Sequence, residues 1–116
     1  MQDFKLIRPG DTAWEPHPQM PGIQVAYLLS HRKDKAGLTC ALVHLPAGSQ
    51  PQRHRHEHSD DILYVIRGNA SMWIDGLGDL PLTPGTFLRI PKGVWHQPRD
   101  IKDDLMIHDI WYPHLE

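Results

Sequence analysis

Two groups of histidines in this chain have the types and spacing to collect one metal ion. The first is the His-x-His pair of Arg53-His54-Arg55-His56, followed by Asp61 and bracketed by Gly48 and Gly68. The second is Gly85, Pro91, Gly93 and His96. Along a strand side chains alternate and the rise is about 3.3 Å per residue, so His54 and His56 share a face with Cα atoms roughly 6.6 Å apart. From there both rings reach a single cation at bond lengths of about 2.0–2.1 Å. A third histidine and a carboxylate carried in by other strands would complete the site. These residues predict a small metal-binding β protein.

The elements that must position them are short and β-rich. Eleven prolines and nine glycines punctuate the chain, and no helical periodicity survives between them. Runs of β-branched and aromatic residues between turn signals predict an all-β sandwich or barrel. Strands are expected at Gly22–Leu29, Leu38–Leu45, Gln52–His58, Ile62–Arg67, Ala70–Asp75, Gly85–Ile90, Val94–Gln97 and Asp104–Tyr112. Asp75-Gly76 is a hairpin signal and Pro84-Gly85 a turn signal. The proline-dense residues up to 21 read as an extended arm over the surface, and Arg99–Asp104 as a solvated loop. Gly48, Gly68, Gly85 and Gly93 are assigned to turns needing positive φ.

Alternation sorts the faces. Cys40, Leu42 and His44 oppose Ala41, Val43 and Leu45, while Met106, His108 and Ile110 oppose Leu105, Ile107, Asp109 and Trp111. Apolar groups on both faces suit a barrel with a lined interior and an outer face that pairs with a second copy, giving a homodimer.

At 116 residues with a net charge of −2, one domain spanning 1–116 is expected. No basic run marks a nucleic-acid partner, no apolar run is long enough for a membrane, and the N-terminus lacks a signal peptide. The single cysteine, Cys40, forms no internal disulfide, which favours the cytoplasm. It reads as a small hydrophobe rather than a nucleophile. Trp73, Trp95 and Trp111 read as core or interface residues, and His58 as an exposed turn residue.

With these residues in view, the chain resembles the cupin superfamily. The first motif of that family runs glycine, five residues, His-x-His, three or four residues, glutamate, six residues, glycine. Gly48, His54, His56, Asp61 and Gly68 fall at that spacing, spanning 48–68. The second runs glycine, five residues, Pro-x-Gly, two residues, histidine, three residues, asparagine, matched over 85–100 by Gly85, Pro91, Gly93, His96 and Asp100. The resemblance implies an antiparallel jelly-roll barrel (a double-stranded β-helix) with His54, His56, His96 and Asp61 around one divalent ion, whether iron, manganese, nickel or zinc. Asp60 competes for the carboxylate place, but Asp61 preserves the six-residue step to Gly68. Aspartate is one methylene shorter than glutamate, so its carboxylate is expected to fall roughly 1–1.5 Å short unless the backbone compensates.

The function so implied is a metal-dependent enzyme acting on a small oxygenated substrate. Dioxygenase-type chemistry is placed ahead of an isomerase, lyase or decarboxylase. Tyr64, Asp100 and His108 are candidates for catalytic groups beside the metal. The alternative is a non-catalytic barrel that binds a sugar or other metabolite.

Overall fold

The computed structural model describes residues 4–115. Seven strands follow one another as β1 (Glu15–Pro16), β2 (Gln24–Leu29), β3 (Thr39–Leu45), β4 (Asp60–Ile74), β5 (Gly78–Leu82), β6 (Phe87–Ile90) and β7 (His96–Tyr112). One helical turn, α1 (His31–Asp34), lies between β2 and β3. All pairings are antiparallel, in the order β1-β2-β3-β7-β4-β5, with β6 on the other side of β4. The fold is an all-β antiparallel jelly roll.

Two long strands form its frame. β4 and β7 pair from Asp60↔Tyr112 at one end to Ile74↔His96 at the other, with register shifts between Val65 and Ser71. Beyond those shifts β4 takes β5 as its partner, and before them β6. Gly68 lies within the shifted stretch, with φ 113°. A Cβ there would sit 2.7 Å from the Asp104 carbonyl oxygen and 2.8 Å from the Leu105 Cα, so only glycine lets the strands approach so closely. Further along the same shifted stretch, between the partners of Asn69 and Ser71, β7 passes through Asp100 at φ 50°.

These bends explain several departures from the sequence reading. Ile62–Arg67 and Ala70–Asp75 are one strand, as are Val94–Gln97 and Asp104–Tyr112 in the main. Arg99–Asp104 is therefore not a loop, although Lys102, Asp103 and Asp104 are exposed within β7. β5 was hidden by Pro81, which the outermost strand of the order tolerates. α1 was hidden by its brevity; Ser30 Oγ accepts from Lys33 N–H, and Asp34 accepts from Ser30 N–H.

The face assignments hold. Ala41, Val43 and Leu45 are buried, as are Leu105, Ile107, Asp109 and Trp111, while the residues between them are half-buried on the outer face. The core joins these to Val25, Leu63, Val65, Met72 and Ile90. Burying a leucine- or isoleucine-sized side chain contributes about 1.5–3 kcal/mol.

Candidate metal centre

Gln52–His58 is not a strand. Pro51 lacks an N–H, and the segment makes a single bridge, in which His54 and His96 exchange both backbone hydrogen bonds at 2.9 Å. The His56 carbonyl accepts from Gly93 N–H at 2.8 Å. The alternation survives without a ladder, so His54 and His56 still face the same way, toward His96. Ring centroids lie 4.3 Å apart for His54 and His96, 5.2 Å for His54 and His56, and 5.6 Å for His56 and His96.

Two of the rings have their tautomer set by the backbone. His54 Nδ1 lies 2.9 Å from the Gln52 carbonyl oxygen, and His96 Nδ1 lies 2.9 Å from that of Val94. A carbonyl only accepts, so Nδ1 carries the proton and Nε2 keeps its lone pair. That is the arrangement that orients a metal-binding imidazole. Burial, together with the neighbouring His96 and His56, lowers the His54 pKa to about 4 despite the Gln52 hydrogen bond. His54 is accordingly neutral at physiological pH.

Asp61 completes the group. It pairs with Ile90 and Trp111 across β6 and β7, and is 4 % exposed. Its Oδ2 lies 3.4 Å from His96 Nε2 and 3.6 Å from His56 Nε2. These separations are long for hydrogen bonds. They suit donors sharing an ion, since two ligands each about 2.1 Å from one centre lie roughly 3.0–3.4 Å apart at octahedral to tetrahedral angles. One ligand atom from each of His54, His56, Asp61 and His96 lies within 4.8 Å of the others. His56 Nε2, His96 Nε2 and Asp61 Oδ1 are buried without a hydrogen-bond partner. Orphaned donors of this kind, all converging on one point, fit a divalent metal ion. The shorter side chain still brings its carboxylate to 3.4 Å from His96 Nε2 and 3.6 Å from His56 Nε2.

Asp60 faces away from the group. Its carboxylate takes both Nε and Nη2 of Arg89 and the Lys92 N–H, tying the Pro91–Gly93 turn to β4. Asp61 is thus the carboxylate that meets the histidines.

The three candidates for groups beside the metal lie elsewhere, and that expectation is corrected. None of Tyr64, Asp100 and His108 lines the cavity. Tyr64 is 48 % exposed on the outer face of β4. His108 is on the outer face of β7, with Nε2 3.1 Å from Cys40 Sγ. Asp100 is exposed at the β7 bend, where its positive φ gives it a backbone role that aspartate and asparagine fill more readily than most residues.

Asp109 does occupy the site. It is 6 % exposed and lines the cavity from β7 beside Asp61, and its Oδ1, like that of Asp61, is buried without a hydrogen-bond partner. Burial, reinforced by the Asp61 charge, raises its pKa well above the usual carboxylate range, so Asp109 keeps its proton. Burial also pushes the Asp61 carboxyl up, but the neighbouring Asp109, His56 and His96 outweigh that and hold it well below the usual carboxylate range. Alternation already grouped Asp109 with Ile107 and Trp111 on one face of the last strand, and a carboxyl among those apolar residues was the available signal. His17, on the arm, also lines the cavity; nothing in its local sequence announces it.

The cavity over the group measures about 410 Å³. Ile23, Val25, Leu45, Leu63, Ile107 and Trp111 supply apolar wall, and the histidines and aspartates supply one polar end. Among the described residues no lysine or arginine lines it.

An antiparallel jelly roll that gathers three histidines and a carboxylate from two glycine-punctuated segments defines a class of metal-binding barrels. A family model described as "Cupin domain" matches residues 41–111, more than half of the chain, and the chain belongs to that family. It is 35 % identical over 54 residues to quercetin 2,3-dioxygenase of Bacillus subtilis (strain 168), a match that spans 47 % of this chain and only 16 % of that protein. Its fold is similar to KdgF from Halomonas sp., with TM-score 0.78 and 23 % identity, covering 94 % of each chain. It is also similar to a predicted oxalate decarboxylase from Thermotoga maritima, with TM-score 0.80 and 23 % identity, covering 94 % of this chain and 99 % of the other.

Proposed function

We propose that this protein is a metal-dependent enzyme acting on a small oxygenated organic molecule, with dioxygenase-type chemistry ahead of isomerase, lyase or decarboxylase chemistry. The observation that carries the reading is the convergence of four donors, two buried and two half-buried, on the wall of a largely apolar cavity. The partial likeness to a quercetin dioxygenase supports the order of the reactions.

His54, His56, His96 and Asp61 hold the ion in this reading. Once bound, a divalent metal supplies a Lewis acid for a substrate oxygen and, if it is iron, a redox centre. The Gln52 and Val94 carbonyls hold two rings in the ligating tautomer. Asp109, protonated beside Asp61, is the group that can donate to that carboxylate and orient it toward the histidines. Apolar walls exclude water from the body of the substrate.

A homodimer belongs to the same reading, supported by Tyr64 and its cross-strand partner Phe87, both exposed on one sheet. Among the described residues no helix is long and apolar enough to cross a membrane. A cytoplasmic setting is proposed with the free thiol of Cys40.

Elemental analysis of protein purified without tag or added metal, joined to oxygen-uptake assays on catechols and diketones, tests the proposal. Near-stoichiometric iron with substrate-dependent oxygen uptake supports the dioxygenase. Manganese, nickel or zinc without uptake moves the assignment to non-redox chemistry. No metal, and none taken up on reconstitution, overturns the enzyme reading in favour of a binding barrel.

A further inference from the structure

The arm does more than wrap the barrel. β1 pairs with β2, and of the turn between them His17, Pro18, Gln19, Met20 and Ile23 line the cavity. His17 N–H donates to the Ile23 carbonyl at 2.8 Å, fixing the loop to the start of β2. The His17 ring organises the rest: its Nδ1 accepts from both Gln19 N–H and Met20 N–H, each at 3.1 Å. A neutral imidazole whose Nδ1 accepts must carry its proton on Nε2. The ring therefore offers one N–H donor, in a tautomer opposite to that of His54 and His96.

His17 lines the same cavity as the donor cluster, half-buried, with His56 near enough for its charge to act on the ring. Burial first, then His56, lowers its pKa, in keeping with a neutral donor. The aspartates in the lining are an ionised acceptor and a protonated acid beside it. The lining also carries the Gln19 amide and the Trp111 Nε1–H, the latter buried without a partner, but of the imidazoles around the cavity His17 is the one whose Nδ1 is held as an acceptor by the backbone, which leaves its Nε2–H free to donate.

We infer that His17 is a substrate-recognition residue, whose Nε2–H donates to a second oxygen of a molecule held by its first oxygen at the His54–His56–Asp61–His96 group. The substrate class that follows is a small, largely apolar molecule with two neighbouring oxygens, such as a vicinal hydroxyl and carbonyl or a pair of ring hydroxyls. Apolar walls take its body, and the lack of lysine and arginine in the lining disfavours phosphorylated or multiply charged compounds. The inference rests on the proposed metal site, which it deepens by naming what the site binds.

The test uses 4-nitrocatechol, a two-oxygen probe whose visible spectrum shifts on binding, with metal content measured on the same samples. His17→Asn keeps an acceptor near Nδ1 for the loop but removes the distal donor, whereas His17→Gln restores a donor near Nε2. Loss of one hydrogen bond to a bound ligand predicts about tenfold weaker probe binding in His17→Asn, partial recovery in His17→Gln, and unchanged metal content in both. Probe binding equal to that of the parent in His17→Asn overturns the inference, and so does loss of metal in that variant. If the parent takes up no metal, the proposed function fails separately, and the comparison is repeated on the metal-free protein. The same weakening there upholds His17 as a recognition residue, while no probe binding at all removes both.

Discussion

His54 and His96 exchange both of their backbone hydrogen bonds at 2.9 Å, although they stand in segments with no other ladder between them. The two histidine motifs are therefore joined through the main chain as well as through any ion they share. Ring positions are inherited from this bridge, which sets the centroids 4.3 Å apart. Metal binding and folding are consequently separable, which is unusual among small metal-binding domains that fold only around their metal.

That separation predicts the outcome of single substitutions. His54→Ala and His96→Ala each remove an imidazole while leaving the backbone bridge able to form. Each is expected to abolish stoichiometric metal binding, read by elemental analysis, with the far-ultraviolet circular dichroism of the barrel retained. His96 is 1 % exposed, so its variant also leaves a cavity, at about 1–3 kcal/mol in denaturant unfolding. A variant of either residue that retains full metal content would remove it from the ligand set.

The aspartate pair predicts a different pattern. Asp109 is buried beside Asp61 and keeps a proton that it can donate to it. An asparagine at 109 still donates from an amide of the same shape, whereas alanine leaves Asp61 short of a partner. Asp109→Asn is expected to stay within about 1 kcal/mol of the parent in urea unfolding, and Asp109→Ala to cost about 1–3 kcal/mol. Asp61→Asn removes the ligand charge and is expected to weaken metal binding at least tenfold by competition with a chelator. Equal stability of the two Asp109 variants would show that the hydrogen bond contributes nothing.

How much of this was legible depends on range. The spacing of His54, His56 and His96 and the alternation of β3 and the end of β7 are local patterns, and the fold preserves both. The long strands were not legible, because Gly68 and Asp100 look like strand ends. In the fold each bends a strand that continues, an outcome decided by the facing strand. Tyr64 and His108 were expected beside the metal because alternation sorts residues into two faces without saying which one turns inward. Asp109 was already grouped with Ile107 and Trp111 on one face, but that this face turns inward, and that Asp109 meets Asp61, depend on the register of β4 against β7. His17 has no sequence signal, since its role comes from an arm lining a cavity built by other strands.

Two glycines with similar φ separate conformational strain from crowding. Gly76, at φ 87°, sits in the hairpin turn with nothing within 4 Å of an added Cβ. Gly68, at φ 113°, would thrust that Cβ against the Asp104 carbonyl and the Leu105 Cα. Gly76→Ala should cost only the backbone term, about 1–2 kcal/mol. Gly68→Ala adds a clash with main chain that has no flexible end to yield, and should exceed about 3 kcal/mol or prevent folding. Comparable losses in denaturant midpoint would mean that β4 and β7 do not approach at Gly68 as described.

The metal-free protein should lose stability in mild acid, and His54 decides the window. Its pKa is about 4 in the folded chain against 6.5 for a free imidazole, so between those values the unfolded chain binds more protons. Stability therefore falls as pH drops from 6.5 toward 4, and this contribution is flat below the folded value. The full interval corresponds to at most about 3 kcal/mol, and to less because the ring is partly exposed. Metal opposes protonation by occupying Nε2, so the loaded protein should keep its stability to a lower pH than the metal-free one. Urea midpoints at a series of pH values, with and without chelator, measure both curves. In His54→Gln the metal-free slope between pH 6.5 and 4 should flatten. An unchanged slope would place the acid-sensitive burial on another residue.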